Sequence, residues 1–353
     1  MRIAACLLCA ASLLSAEDWL YPRGNLGNTG VTKNRGPKRT PKVQWKREEK
    51  GAIGTGAALS EGRLIYGVGE FAVACRRQSK GAAIWDAKVK QQVVSWPLVA
   101  GDTAYFGGQD HVFYRITIAT AGEPETVEAE AAIVADPAVW EDYYFCGALD
   151  GFFYVMGSRT GRLLWRGKSG NVRHGAAVRK GKVYVANVGG KVFCYDIKTG
   201  REIWSYEAKA APLSGPILGK SAVFLPTVDG KLHAIRAKTG KVAGSYDVTG
   251  IATAPVLDKS LLHYGTREGE IVTLDLKKGK EMGRTKAAPD AVSTPLVLAK
   301  KVVYGAAGAT LFAVDPKAHR VLWTFKGEES FLPPIVAGGS IFVGAGNVFY
   351  CLK

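Results

Sequence analysis

Few side chains in this 353-residue sequence stand at spacings that catalysis requires. The five histidines, His111, His174, His233, His263 and His319, form no H-x-H or H-E-x-x-H pair, so a zinc site would have to be assembled from distant segments. Structural or surface roles are expected for them. Cys6-Leu7-Leu8-Cys9 has the spacing of a redox or metal pair but lies inside an amino-terminal apolar run. Cys75, Cys146, Cys194 and Cys351 stand singly in strand-like apolar stretches, where free thiols serve as small hydrophobes. No G-x-S-x-G elbow, P-loop or G-x-G-x-x-G occurs; Gly67-Val68-Gly69 and Gly344-Ala345-Gly346 precede no helical pattern. Four residues remain as candidate contacts for a ligand or partner: Trp96, Asp136, Arg173 and His174. An indole offers a flat apolar face, a carboxylate can accept a proton, and an Arg-His pair suits an anion. What they can do depends on the elements that carry them.

Met1-Arg2 followed by the apolar run Ile3 to Leu14 reads as a secretory leader, too short to span a bilayer, with cleavage expected after Ala16. Ile3-Ala4-Ala5-Cys6 has the form of a lipid-attachment motif, yet only two residues precede it, so anchoring at Cys6 is not expected. No later run of about 18 apolar residues exists. The chain is therefore expected to be exported to the periplasm or cell envelope, without a transmembrane segment once processed.

A 47% hydrophobic, 22% charged composition with mean hydropathy +0.01 excludes a disordered or polytopic chain. The formal charge of +16 would favour anionic surfaces, acidic polymers or nucleic acid. Most of the basic residues lie in turn-like segments, and nothing interleaves them with aromatics as a nucleic-acid groove would, so no nucleic-acid partner is expected. The one dense cluster is Lys33, Arg35, Lys38, Arg39 and Lys42; an acidic stretch runs from Glu123 to Glu130.

The organising feature is an internal repeat. Ala57, Pro97, Pro137, Ala176, Pro216, Pro255, Pro295 and Pro334 each open an apolar strand, and successive separations are 39 or 40 residues. That period holds four strands and their turns, the size of one propeller blade. The seventh unit reads Ser293 to Leu298, Val302 to Gly305, Thr310 to Asp315 and Val321 to Trp323. The fourth carries the clearest turn, Asp196-Ile197-Lys198-Thr199-Gly200-Arg201-Glu202-Ile203-Trp204, in which Asp can bind turn amides and Gly can take a left-handed conformation. Trp45, Trp85, Trp165, Trp204 and Trp323 share the outer-strand position and are expected to pack between blades, whereas Trp96 and Trp140 break that register and stand as candidates for exposed recognition or for burial.

A strand ending in Asp, a Lys-Thr-Gly turn and a Trp at this period resemble the PQQ-type (quinoprotein-like) β-propeller repeat, and eight copies behind a leader resemble the BamB-like propellers of bacterial envelopes. Asp18-Trp19-Leu20-Tyr21-Pro22-Arg23-Gly24-Asn25 is similar to the opening of such proteins. The expected fold is all-β, an eight-bladed β-propeller of four-stranded antiparallel blades. Residues 1–16 would be leader, 17–42 an extension and 43–353 the propeller. The eighth unit lacks an outer strand, so Val43-Gln44-Trp45-Lys46 should supply it and close the ring.

The resemblance implies a non-enzymatic, monomeric interaction scaffold with an envelope protein partner, BamB-like, in outer-membrane protein assembly, with no cofactor. It implies as the alternative a quinoprotein holding PQQ with calcium, or another small ligand. No adjacent Cys-Cys pair lies beyond the leader to cover a quinone. Residues just before the inner strands, Thr55, Trp96, Asp136, His174, Ser214, Thr253, Thr294 and Leu332, should face the central channel.

Overall fold

The computed structural model describes residues 18–353; the expected leader lies outside them. Among the described residues the architecture is an eight-bladed β-propeller with four antiparallel strands per blade and no helix. Blade 1 runs through Ala58–Ser60, Arg63–Val68, Ala72–Arg77 and Ala83–Lys88 from the axis outward, and blades 2 to 7 repeat that order. A third strand buried almost throughout and an outer strand that alternates in exposure, joined by a tight turn, fold each unit locally. The eighth blade takes its outer strand from the other end of the chain: Val43–Glu48 pairs antiparallel with Val348–Leu352. The expected ring closure is thus observed.

Strand direction gives the disc two faces. The lower face carries the turns from inner to second and from third to outer strand; the upper face carries the middle turns and the loops between blades.

Blades are locked by their outer tryptophans. The indole N–H of Trp45 donates to Gln78 O (3.0 Å), Trp85 to Ile118 O (2.9 Å), Trp165 to Ile197 O (2.8 Å) and Trp204 to Ala237 O (3.1 Å), each in the next blade's outer turn. The rings of Trp45, Trp165 and Trp204 lie on that turn's glycine, Gly81, Gly200 and Gly240. A Cβ at Gly240, whose φ is +72°, would come within 2.8 Å of Trp204. Glycine there serves both the left-handed turn and the seat for the indole. Trp323 docks instead on Pro37 O (2.8 Å), a residue of the extension.

Blade 2 has Glu125 where the tryptophan belongs, opposite Arg115. The Arg115 guanidinium takes over: Nη2 donates to Arg159 O (2.8 Å) and lies 2.8 Å from the Glu125 carboxylate, while Tyr105 donates to Ser158 O (2.9 Å). Arg115 also occupies the space above Gly161 that an indole fills elsewhere. Its Nε and Nη1 are buried without a partner. All four cysteines among the described residues are buried and free, as expected.

The extension is the unexpected element. Inner strands of a propeller present unpaired N–H groups to the axis, and such edges need partners. Residues 19–30 supply them nearly all the way round. Carbonyls of Trp19, Leu20, Leu26, Gly27, Thr29 and Gly30 accept from Leu59, Val99, Val178, Leu218, Leu257 and Leu298, in blades 1, 2, 4, 5, 6 and 7. Val31–Thr32 then runs parallel to Leu298–Ala299, and Arg35 O accepts from Gly339 N in blade 8. Asn25 holds the coil, its Oδ1 accepting from Gly27 N (3.0 Å) and its Nδ2 donating to Val31 O (3.0 Å).

Candidate functional site

The coil fills the lower channel and leaves a blind well above it. The cavity, about 280 Å³, has Tyr21 to Asn28 of the coil along one side and inter-blade residues Asp136, His174, Ser214, Thr253 and Ser293 around it. Of the eight positions expected to face the channel, Asp136, His174, Ser214 and Thr253 line this well. Thr55 and Thr294 are buried and hold backbone instead: the Thr55 hydroxyl accepts from Gly67 N (3.1 Å), that of Thr294 from Ala306 N (2.9 Å).

Trp96 is buried, 7% exposed. Its indole donates to Ala57 O (2.7 Å), and Gly56 lies so close that a Cβ there would reach 2.3 Å from the ring. Packing between blades 1 and 2, rather than exposed recognition, is its place. Trp140 is half-buried and stacks on Tyr143 at a centroid distance of 6.2 Å. Arg173 is exposed beside the mouth, outside the well's lining.

Asp136 and Arg23 define the electrostatics. Asp136 Oδ1 accepts from Trp96 N (2.8 Å), tying the inter-blade loops of blades 2 and 3. Burial pushes its carboxyl up to about 6, against the pull of the Trp96 N–H and the Arg23 charge. Arg23 reaches across the axis to Leu296 O (3.2 Å) and Pro255 O. Burial lowers its guanidinium to about 10, still a cation at neutral pH, with Asp136 opposing the shift. His174 is kept toward the neutral form by burial, with Nε2 at 3.3 Å from Pro212 O and Arg173 adding repulsion. Sequence reasoning found Asp136 and His174 because both sit at a fixed repeat position; it missed Arg23, which belongs to no repeat.

Such a well can hydrogen-bond a small polar molecule through Arg23, a titratable carboxyl, hydroxyls and amides. The residues do not fit PQQ with calcium. Calcium takes six to eight oxygen ligands, whereas the well offers one carboxylate that is already occupied by a backbone N–H and faces a cation. Trp96 has its ring face packed at Gly56 and cannot carry a planar quinone there. No group of three or more His, Cys, Asp or Glu able to hold a metal occurs among the described residues.

Comparison with known proteins places this architecture. The chain is similar to the quinohemoprotein alcohol dehydrogenase ADH-IIG of Pseudomonas putida, 26% identical over 60% of this chain and 31% of that enzyme. It is similar to the outer membrane protein assembly factor BamB of Burkholderia pseudomallei, 26% identical over 33% of this chain and 31% of that protein. The matched stretch is therefore less than a third of either relative. Among solved structures, BamB from Moraxella catarrhalis superposes with a TM-score of 0.64 at 16% identity, covering 88% of this chain and 86% of that one. The computationally designed Ika8 protein superposes at 0.78 and 18%, covering 88% and 99%. At those identities the structures speak for the fold alone. The model of one family, described as outer membrane protein assembly factor BamB, matches residues 37–146 and 149–352, and to that family of PQQ-like propellers the chain belongs.

Proposed function

We propose that this chain is a non-enzymatic, exported scaffold of the cell envelope that holds a protein partner, in the role that the name of its BamB relatives describes, outer-membrane protein assembly. The observation that carries this reading is the occupied axis. The chain's own residues 19–30 satisfy the inner-strand N–H groups, and Arg23 and Trp96 spend their donors on blade carbonyls. What the fold then offers a partner is the wide surface of turns and inter-blade loops on a rigid ring. Crosslinking in intact cells, followed by affinity purification and mass spectrometry, tests it. One envelope protein crosslinked reproducibly to one set of loops is the expected result; a protein recovered alone would sink the reading.

A second reading is a small-ligand propeller, favoured by the raised carboxyl of Asp136 beside Arg23 in a closed-ended well. Titration of the purified protein with PQQ and calcium, and separately with simple carboxylates, discriminates the two. Saturable uptake lost in Asp136→Asn or Arg23→Met would bring the ligand reading forward.

A further inference from the structure

The densest positive charge of the chain lies on the lower face of the disc. On the lower face the outer turns of blades 4 to 7 read Asp-Ile-Lys-Thr-Gly-Arg (196–201), Arg-Ala-Lys-Thr-Gly-Lys (236–241), Asp-Leu-Lys-Lys-Gly-Lys (275–280) and Asp-Pro-Lys-Ala-His-Arg (315–320). The first turns of blades 4 to 7 add Lys180, Lys220, Lys259, Lys300 and Lys301, and the extension adds Lys33 to Lys42 on the same side. Asp196, Asp275 and Asp315 are spent on turn amides of Thr199, Lys277 and Lys317. Lys198, Lys238, Lys277 and Lys278 are exposed and lie in no ion pair described among residues 18–353. The upper face is the reverse: its middle turns hold Glu70, Asp110, Asp150, Asp229 and Glu268 against one cation, Arg267.

A second, independent observation concerns apolar side chains. Val43, Val242 and Met282 are exposed within the first three residues of the outer strands of blades 8, 5 and 6, the end that meets the lower face; Ile84, Leu163 and Leu164 hold the same place in blades 1 and 3, while Phe71, Val188 and Val228 are exposed in middle turns of the upper face. Isolated apolar side chains need no explanation, but six of nine at the same end of one strand type do. Cations at turn tips with apolar residues just behind them match the lipid headgroup layer and the start of the acyl region. A nucleic acid would call for a groove with interleaved aromatics, which this convex ring of turns lacks.

We infer that the lower face of blades 4 to 8 docks on an anionic lipid surface, leaving the upper face and its well turned away from the bilayer. The inference is independent of which partner the scaffold holds. It is tested by sedimenting the purified protein with vesicles of phosphatidylcholine alone or mixed with phosphatidylglycerol. Binding to the mixed vesicles only, lost on raising salt from about 0.05 to about 0.5 M, is expected. Each cation near such a surface contributes roughly fivefold in affinity, so K198E/K238E/K277E/K278E should bind at least about a hundredfold more weakly. The upper-face counterpart K50E/K90E/K168E/K209E should bind nearly as the parent does, and circular dichroism melting reports whether both remain folded. Replacing Val43, Val242 and Met282 by Ser should remove the binding that survives at intermediate salt. Equal losses in the two lysine variants, no preference for anionic vesicles, or capture of duplex DNA at salt where vesicles are ignored would each overturn the inference.

Discussion

Arg76 grips both carboxylate oxygens of Glu49, Nε to Oε1 and Nη2 to Oε2, each at 2.8 Å, across the seam where the ring closes. Glu49 follows the outer strand of blade 8, and Arg76 ends the buried part of the third strand of blade 1. Both are buried, 6% and 2% exposed, and Tyr66 (2.9 Å) and Arg47 (2.8 Å) also donate to Oε1. Burial works to raise the Glu49 carboxyl; hydrogen bonds from Arg76 and Tyr66 outweigh it and hold it below the ordinary value. Removing Glu49 leaves the buried Arg76 guanidinium with Asp86 alone, Nη1 to Oδ1 at 2.6 Å. Glu49→Ala should cost about 2–3 kcal/mol in urea denaturation, and Glu49→Leu with Arg76→Met less. A small loss in the single variant would show that the seam does not depend on this pair.

Gly240→Ala and Gly279→Ala separate the two demands on the turn glycine. Both positions have positive φ, +72° and +62°, so each substitution costs about 1–2 kcal/mol of backbone strain. Only at 240 does the new methyl collide with an indole; nothing lies within 4 Å at 279. A further 1–3 kcal/mol is expected at 240 from overpacking, read as a lower thermal midpoint.

Asp136 gives the protein a pH dependence opposite to that of most carboxylates. Its folded value, about 6, lies above the unfolded 3.8, so the folded state holds more protons between them. Stability from this group is full below pH 3.8 and falls as pH rises to about 6. Allowing for water in the well, the loss is of order 1–2 kcal/mol. Asp136→Asn should flatten that segment of the stability curve; an unchanged curve would place the carboxyl in ordinary solvent.

Blade 2 should be repairable. Arg115→Cys with Glu125→Trp restores the side chains that blade 1 has at those positions, Cys75 and Trp85, and removes two unpartnered guanidinium donors. A gain of about 1–2 kcal/mol is expected in chemical denaturation. A loss would indicate that the Arg115–Glu125 pair is kept for a partner.

Arg23→Met should loosen the coil. The Leu257 and Leu298 amides, bonded to Thr29 and Gly30 carbonyls beside the arginine's anchors, should exchange faster with deuterium, while Val73 at the core of blade 1 keeps its protection.

The blades were legible because the repeat makes each side chain report eight times on one environment. Ring closure was legible because a unit ending at Lys353 has no outer strand and Trp45 stands in the right register. The coil was not. It binds blades through main-chain carbonyls, which any residue supplies, so Leu20 and Gly27 carry no signal in their types. In blade 2 the substitute for the tryptophan was not legible, since Arg115 in isolation reads as a surface cation. Trp96 departs from the register of the other tryptophans because it packs nearer the axis, and of the two readings open for it the structure shows burial.

The axial coil also fixes an order of events. Residues 19–30 are made before every blade they bind, their partners reach as far as Leu298, and the strand at Val43–Glu48 has none until Val348–Leu352 is made. Blades 1 to 7 can form as they are synthesised and the coil can pair with each in turn, from Leu59 to Leu298, whereas Val43–Glu48 must wait, unpaired, for Val348–Leu352. Closure of the ring is therefore a late event, and a chain interrupted before blade 8 would keep an open edge with Val43–Glu48 unpaired.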